Sequence, residues 1–231
     1  MRTIALLTQK GGAGRTTLAA SLAVAAAHAG ETVIALDLDP QASLSRWGKR
    51  RAAANAPNKV VIEPLERERL SRLHAIIEGL AGVGFTIAIF DTAAADGAAD
   101  HFVAEAADLC LLPTRPTCLD VDATAATFRA VYLAKRKAAF VLNQCPPNYR
   151  SLRTSQSAKG LTHLGVLAEP TLCARMDFQD AIEAGLGVTE YARGGRAAQE
   201  IEALWSWIRA QFEPTQSEAP IDIPSRRQAA A

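Results

Sequence analysis

A glycine-rich segment near the start of the chain carries residues that could bind phosphate. Residues 9–17 read Gln-Lys-Gly-Gly-Ala-Gly-Arg-Thr-Thr and lie between an apolar run at 4–7 and an alanine-rich run at 18–27. The first run predicts a buried strand, and the second predicts a helix. A glycine-rich turn between a strand and a helix lets backbone N–H groups point into a space about the size of a phosphate, and the helix end adds a partial positive charge. The segment therefore predicts a phosphate-binding loop.

This loop departs from the strict phosphate-loop pattern G-x-x-x-x-G-K-S/T at two positions. Gln9 stands in place of the first glycine, and Arg15 stands in place of the lysine. Thr16 occupies the position whose hydroxyl binds Mg²⁺ in this pattern. Arginine keeps the positive charge but has a bulkier, forked head group, so it is not a neutral replacement at a tight phosphate site. Two interpretations stay open: Arg15 binds phosphate through a bidentate pair, or it misplaces the γ-phosphate and slows hydrolysis.

Carboxylates follow two further predicted strands. The apolar run at 32–36 leads into Asp37 and Asp39, and the apolar run at 85–90 leads into Asp91. Open α/β sheets bind ligands beyond the carboxyl ends of their strands, and all of these residues follow such ends. Phosphoryl transfer needs positioning and charge neutralisation, which backbone N–H groups, a cation, Mg²⁺ and a water-orienting carboxylate supply. The sequence therefore predicts a site for phosphoryl transfer.

Short apolar runs alternate with helical stretches along the chain. Apolar residues make up 49% of the 231 residues, which is enough for a sizeable core. The alternation predicts an α/β fold, a three-layer sandwich in which a mostly parallel twisted sheet is covered by helices on both faces. The expected strands lie near residues 4, 33, 60, 87, 110, 140 and 166.

Taken together, these segments resemble the ParA/MinD family of P-loop ATPases, whose phosphate loop is called a deviant Walker A motif. Residues 10–17 resemble the family pattern K-G-G-x-G-K-S/T-T, and residues 37–43 resemble D-x-D-P-Q-G/A-N/S. Residues 109–120 and 175–190 are similar to two further family segments, and residues 140–144 resemble a strand whose asparagine contacts adenine. Among members of the family, the small ParA-type partition ATPases of plasmids and chromosomes are the most similar.

The resemblance implies a role for each candidate site residue. It implies that Lys10 reaches across a dimer to the partner's nucleotide and that Asp39 orients the attacking water, with Asp37 supporting the metal. The implied catalytic set is Asp39, Lys10, Arg15 and Asp37. The implied Mg²⁺ ligands are Thr16, Asp37 and Asp91. The implied nucleotide-binding residues are Gly11, Gly12, Ala13, Gly14, Arg15, Thr16, Thr17 and Asn143.

The same resemblance implies a function. ATP and Mg²⁺ are the expected cofactors, and a homodimer formed with ATP is expected to bind nonspecific DNA until a ParB-like partner protein stimulates its release. Such a protein would work in the cytoplasm on the nucleoid. An alternative from another class stays open, because Arg15 equally favours a nucleotide-gated scaffold that binds ATP without turning it over.

Two other functions are less well supported. A MinD-like membrane-cycling regulator would need an amphipathic terminal helix, and residues 213–231 lack an apolar face. An iron–sulfur reductase would need two cysteines per subunit at the dimer axis, and neither Cys110 nor Cys145 lies in a glycine-rich loop. The chain has no signal peptide before the first strand and no apolar run of membrane-spanning length, which predicts a cytoplasmic protein.

The formal net charge of +1 gives no global electrostatic case for nucleic acid. Basic residues do cluster locally, at 49–51, 135–137, 150–159 and 193–196. The ordinary interpretation of each cluster is a solvated face, whereas the family resemblance favours salt-dependent contacts with DNA phosphates.

The chain is expected to divide near residue 212. The resemblance covers about residues 1–212, which form the expected nucleotide-binding domain. Residues 197–212 carry apolar side chains at helical spacing and predict a terminal helix that packs on the domain. Residues 213–231 are rich in proline and polar residues and are expected to be a disordered tail.

Overall fold

Seven strands form the centre of the molecule. The computed structural model describes residues 1–57, 60–94, 96–147 and 151–213. The strands are β1 (Arg2–Leu6), β2 (Val33–Asp37), β3 (Val60–Pro64), β4 (Ile87–Asp91), β5 (Leu109–Thr114), β6 (Ala138–Leu142) and β7 (Val166–Leu167). They form one sheet in the order β3-β2-β4-β1-β5-β6-β7, with every neighbouring pair parallel. All seven expected strands are confirmed.

Helices connect the strands and cover the sheet. In chain order the described residues form α1 (Arg15–His28), α2 (Ser43–Ala53), α3 (Leu73–Gly82), α4 (Gly97–Ala106), α5 (Cys118–Leu133), α6 (Leu152–Leu164), α7 (Met176–Glu183), α8 (Val188–Tyr191) and α9 (Arg196–Phe212), with a 3₁₀ helix at Arg67–Arg72 before α3. None of the helices in the described part of the chain has the length and apolar character needed to cross a membrane.

The core lies on both faces of the sheet. Every residue of β2 and β4 is buried, as expected for central parallel strands covered on both sides. Successive strand residues point to opposite faces, so Ile4 and Leu6 pack with α1, α2 and α7–α9, whereas Ala5 packs with α3 and α4. Helices α5 and α6 complete this second layer. The predicted three-layer α/β sandwich is confirmed.

The terminal helix was predicted at 197–212 and is observed as α9. Its apolar stripe packs against α1, and its buried side chains include Ile201, Leu204, Trp205 and Ile208. The helix therefore belongs to the main body of the fold. The expected tail at 213–231 lies almost entirely outside the described residues, and the division at residue 212 stays a prediction.

Gly185, between α7 and α8, is a position where a larger residue should destabilise the fold. Its φ is +71°, and a Cβ built there would lie 2.5 Å from the backbone of Arg50 at the end of α2. We expect Gly185→Ala to lower the free energy of unfolding by about 2 kcal/mol or more, because left-handed strain and a backbone clash add. Urea unfolding measures the loss.

Gly194→Ala is the matched control for this change. Gly194 has φ +73°, and a Cβ there would have no atom within 4 Å. The control therefore carries the conformational cost alone, about 1 kcal/mol. Equal losses in the two variants would contradict the expected clash between α2 and the α7–α8 turn.

Candidate nucleotide site

The glycine loop joins β1 to α1, and no side chain caps the start of α1. Gly12 has φ +77° and Gly14 has φ +84°, and Gly14 is the N-cap of α1. A Cβ at Gly14 would lie 2.6 Å from Nδ2 of Asn143, so only glycine fits both the backbone and the space. Because glycine at the N-cap has no side chain that could accept hydrogen bonds from the first-turn N–H groups of α1, these groups can bind an anionic ligand.

Thr16 and Asp91 meet at the carboxyl end of β4. The Thr16 hydroxyl donates a hydrogen bond of 2.8 Å to Asp91 Oδ2. Asp91 is 1% exposed, and its Oδ1 is a buried atom without a hydrogen-bond partner among the described residues. Burial raises the pKa of Asp91 to about 7; the hydrogen bond from Thr16 opposes the rise, and the neighbouring Asp37 carboxylate adds to it.

This pair of side chains fits a hard divalent cation. Mg²⁺ binds oxygen ligands and is usually held by one or two carboxylates together with substrate phosphates. The unpartnered Oδ1 of Asp91 is a ready oxygen ligand, and the Thr16 hydroxyl lies beside it at the start of α1. A buried carboxyl oxygen without a partner is rare in native proteins and needs an explanation, which a bound cation would give.

Asp37 and Asp39 follow β2 but have different surroundings. Asp37 is buried, with Oδ1 accepting from the Asp39 backbone N–H at 3.1 Å and Oδ2 accepting from the N–H and hydroxyl of Ser45, each at 2.8 Å. Its carboxylate thus fixes the start of α2. Asp39 is half-buried, accepts from the Gln41 N–H at 2.8 Å and lines an open cavity of about 690 Å³ that also borders Ala93. The predicted metal role of Asp37 and water-orienting role of Asp39 stay predictions.

Arg15 is directed to backbone carbonyls in this structure. Its side chain is buried, and Nη1 donates to the Thr8 carbonyl at 2.6 Å and to the Ala93 carbonyl at 3.0 Å. The guanidinium therefore ties the start of the glycine loop to the segment that follows β4. Arginine has five N–H donors, so contact with phosphate through the others is compatible with these two bonds. Both interpretations of Arg15 stay predictions.

Lys10 lies near the acidic start of α5. It is half-buried, and its charge reaches Asp120, which is also paired with Arg115 at 3.0 Å. Burial raises the pKa of Asp120, but hydrogen bonds from Thr117 and Arg115, together with the charges of Arg115 and Lys10, hold the pKa below its ordinary value. Asp120 therefore balances the positive charge of Lys10 within the subunit.

The residues after β6 hold the glycine loop from the other side. Asn143 Nδ2 donates to the Ala13 carbonyl at 2.7 Å, and Gln144 Nε2 donates to the Gly12 carbonyl at 2.9 Å. Asn143 was predicted to contact adenine, and that contact stays a prediction. The sequence analysis did not predict that Gln144 binds the glycine loop. Its position next to Asn143, at the end of a strand, is the feature that could have indicated this contact. Both residues line a cavity of about 270 Å³ that also borders Thr17.

This cavity is completed by α7 and the segment before it. Arg175 and Phe178 line it, and Arg175 is held in place by an ion pair of 2.6 Å with Glu200 on α9. Glu200 also accepts from the backbone N–H of Cys173 at 3.0 Å. The similarity at residues 175–190 placed this segment in the family pattern, but Glu200 as the partner of Arg175 was not predicted.

The basic clusters differ in their exposure. Lys49 and Arg50 are exposed, but Arg51 is buried, and its Nη1 lies 2.7 Å from Oε2 of Glu190. The segment at 49–51 therefore offers two cations to solvent rather than three. The clusters at 135–137 and 193–196 present exposed basic side chains. Arg150, which was counted in a third cluster, lies outside the described residues.

The fold, with its glycine loop between β1 and α1, places the chain in the ParA/MinD class of P-loop proteins. Within that class, the chain belongs to the VirC1 protein family, whose family model matches residues 1–194. The predicted family resemblance is confirmed.

Individual relatives agree with this assignment. Maintenance of carboxysome distribution protein A of Gloeobacter kilaueensis is 36% identical over 217 residues, covering 92% of this chain and 94% of that protein. Protein virC1 of Rhizobium rhizogenes is 32% identical over 131 residues, covering 57% of this chain and 56% of that protein. The solved structure of apo McdA from Cyanothece has a TM-score of 0.75 at 15% identity, covering 92% of this chain and 100% of that chain, and so shares the fold.

Proposed function

We propose that this protein is an ATP-dependent partition ATPase that binds Mg²⁺–ATP, dimerises around the nucleotide and then binds nonspecific DNA. A ParB-like partner protein would trigger its release. The observation that carries the proposal is the contact between Thr16 and the buried Asp91, at the end of a glycine loop where no side chain caps the start of α1. The relatives named for chromosome partitioning and for carboxysome distribution support a role in positioning a cargo, and we propose that this takes place on the nucleoid.

Each part of the site has a task in this proposal. Thr16 and Asp91 would hold Mg²⁺, which neutralises charge on the phosphates when it is bound. The glycine loop and the start of α1 would receive the phosphates through backbone N–H groups. Asp39 is half-buried and borders an open cavity that it shares with the segment after β4, which suits a carboxylate that orients water. The cavity bordered by Asn143 and Phe178 would receive the nucleoside.

The proposed dimer joins the two glycine-loop faces. Lys10 lies on that face beside Asp120, and the adjacent Leu119 exposes 66% of its surface. Leu152, at the start of α6, exposes 77%. Large exposed apolar side chains often mark protein–protein interfaces, and a second copy of the chain is the partner that we propose. The exposed cations of 135–137 and 193–196 would remain available for DNA phosphates.

A non-hydrolysing, nucleotide-gated scaffold is the second candidate. The bonds from Arg15 to the Thr8 and Ala93 carbonyls favour it, because they direct part of the guanidinium to the backbone instead of the phosphates. In that case the protein would switch conformation with ATP binding and release alone.

ATP hydrolysis in the presence of excess nonspecific DNA separates the two candidates. We expect turnover in the natural protein and a fall of about 100-fold or more in Asp39→Ala, because the water loses its orienting carboxylate. Arg15→Lys tests the alternative, since it keeps the charge and removes the fork. If the natural protein shows no turnover and Arg15→Lys gains it, the scaffold replaces the ATPase as the proposed function. ATP binding by Asp39→Ala, measured separately, confirms that only the chemical step is lost.

A further inference from the structure

Arg115 lies beside the glycine loop, on the segment that follows β5. A Cβ built on Gly12 would be 3.8 Å from Nη1 of Arg115, so the guanidinium approaches the middle of the loop. Strand β5 pairs in parallel with β1, which leads into the loop, and both strands therefore end at the same edge of the sheet. Neither the sequence motifs nor the proposed function gives Arg115 a task.

A buried carboxylate fixes the direction of this guanidinium. Nη2 and Nε of Arg115 donate to Oδ1 of Asp120 at 3.0 and 3.3 Å. Asp120 is held in turn by Thr117, whose hydroxyl donates to Oδ2 and accepts from the Asp120 backbone N–H. The Asp120 side chain is only 5% exposed. The contact uses the edge of the guanidinium that carries Nε, and Nη1 has no hydrogen-bond partner in the described part of the chain.

The donors that Asp120 does not use are open to a ligand. The Arg115 side chain is 37% exposed, and arginine has five N–H donors. Because the ion pair already restricts the side chain, a further contact costs less conformational entropy than it would for a freely moving arginine. A partly exposed ion pair contributes little to folding by itself. The arrangement therefore suits an arginine that is held in place for an anionic ligand.

Arg15 leaves room for a second cation at this loop. It stands where the strict pattern has lysine, but its Nη1 donates to the carbonyls of Thr8 and Ala93. Part of its guanidinium is thus directed to the backbone. Binding of a nucleotide and transfer of its phosphoryl group both depend on positive charge close to the phosphate oxygens. Arg115 brings such a charge to the loop from the β5 side, whereas Arg15 begins α1.

We propose that Arg115 binds the phosphates of the nucleotide that the glycine loop of the same subunit holds, with Nη1 as the donor. The assignment rests on the proposed function, to which it adds a phosphate-binding cation. Charge-assisted hydrogen bonds from a guanidinium to phosphate are among the stronger polar contacts in proteins. Asp120 is then a positioning residue, because it acts through Arg115 and does not contact the nucleotide.

Tripolyphosphate is the probe that isolates this contact, because it carries the phosphate part of the nucleotide without the nucleoside. Calorimetric titrations with Mg²⁺ compare ATP and tripolyphosphate at protein concentrations where light scattering shows a monomer, so that no second subunit takes part. We expect Arg115→Gln to weaken both ligands at least about tenfold, and Arg115→Lys to keep part of the affinity. Arg129→Gln is the matched control, because it removes an exposed arginine of α5 more than two turns beyond Asp120.

A second pair of variants separates the guanidinium from the charge of its anchor. Asp120→Asn and the double variant Arg115→Gln with Asp120→Asn both lack the carboxylate charge and differ only at residue 115. Weaker binding by the double variant than by Asp120→Asn supports the proposal. Equal binding would show that Arg115→Gln acts only by leaving Asp120 unpaired, and would overturn it. Thermal unfolding without ligand confirms that each variant is folded.

The same titrations distinguish the role of Arg115 from the proposed function. If the natural protein binds ATP and tripolyphosphate and Arg115→Gln retains both affinities, Arg115 has no part in phosphate binding, and the proposed function is unaffected. If the natural protein binds neither ligand, both proposals are wrong.

Discussion

Thr16→Val is expected to weaken Mg²⁺-dependent ATP binding by at least about 100-fold. Valine keeps the shape of threonine but removes the hydroxyl that donates to Asp91 at 2.8 Å. Substituting a residue that contacts a metal ligand, and not the metal itself, already lowers metal affinity about 10–100-fold. Loss of a direct ligand should therefore cost at least as much. Asp91 would then border the metal position alone.

The experiment compares ATP affinity in Mg²⁺ and in a chelator, by calorimetric titration at about pH 8. At that pH the Asp91 carboxyl, whose pKa burial raises to about 7, is ionised before metal arrives. The natural protein should bind ATP much more tightly with Mg²⁺, and Thr16→Val should lose that difference. Thr124→Val, a buried threonine outside the site, should retain it. Equal losses with and without Mg²⁺ would show that the hydroxyl serves the nucleotide and not the metal.

The sequence could predict this contact because it depends on strand topology. The glycine loop and the Asp91 segment each follow an apolar run, and parallel strands deliver their carboxyl ends to one edge of the sheet. The structure pairs β1 with β4 directly, with Leu6 opposite Asp91, so the two segments emerge side by side. Periodicity and strand ends were enough to bring these two segments together, because both are local properties of the chain.

Side-chain partners could not be predicted in the same way. The direction of Arg15 depends on two backbone carbonyls, one of which, at Ala93, is 78 positions away. Asp37 was predicted at the metal, and the sequence did not indicate that Oδ1 accepts from the Asp39 N–H and Oδ2 from Ser45 at the start of α2. Which partner each side chain takes depends on the competing hydrogen-bond donors and acceptors around it, and on its burial, once the helices and strands have packed. A pattern of residue types does not contain those distances.

Arg51 is the residue whose environment the sequence predicted least well, and it carries the second large prediction. As one of three adjacent cations it was expected on a solvated face or against DNA. The structure buries it, with Nη1 and Nη2 at 2.7 and 2.9 Å from the two carboxylate oxygens of Glu190, 139 positions away. The two side chains are 5% and 2% exposed. The pair therefore joins α2 to α8 through a desolvated, bidentate contact.

Arg51→Met is expected to lower the free energy of unfolding by about 3–5 kcal/mol. Arg51→Met takes the bidentate cationic partner away from a buried carboxylate, and breaking a buried ion pair from one side is strongly destabilising. Methionine can still pack against Trp47, but it also removes the cation–π contact of the Arg51 guanidinium, whose Cζ lies 5.4 Å from the centroid of the Trp47 ring. Glu190 would keep the backbone N–H of Gly187 at 2.9 Å, which does not neutralise its charge. Urea unfolding measures the loss.

Two further variants separate the buried charge from lost packing. The double variant Arg51→Met with Glu190→Leu removes both charges and should recover much of the stability, because apolar replacement of a buried pair is often close to neutral. Arg67→Met breaks an ion pair of 3.1 Å with Asp96 in which the arginine side chain is 64% exposed, and it should cost at most about 1 kcal/mol. If the double variant is as unstable as Arg51→Met, packing and not the loss of the Arg51–Glu190 contact controls this junction. If Arg51→Met costs no more than Arg67→Met, the junction between α2 and α8 does not depend on the ion pair.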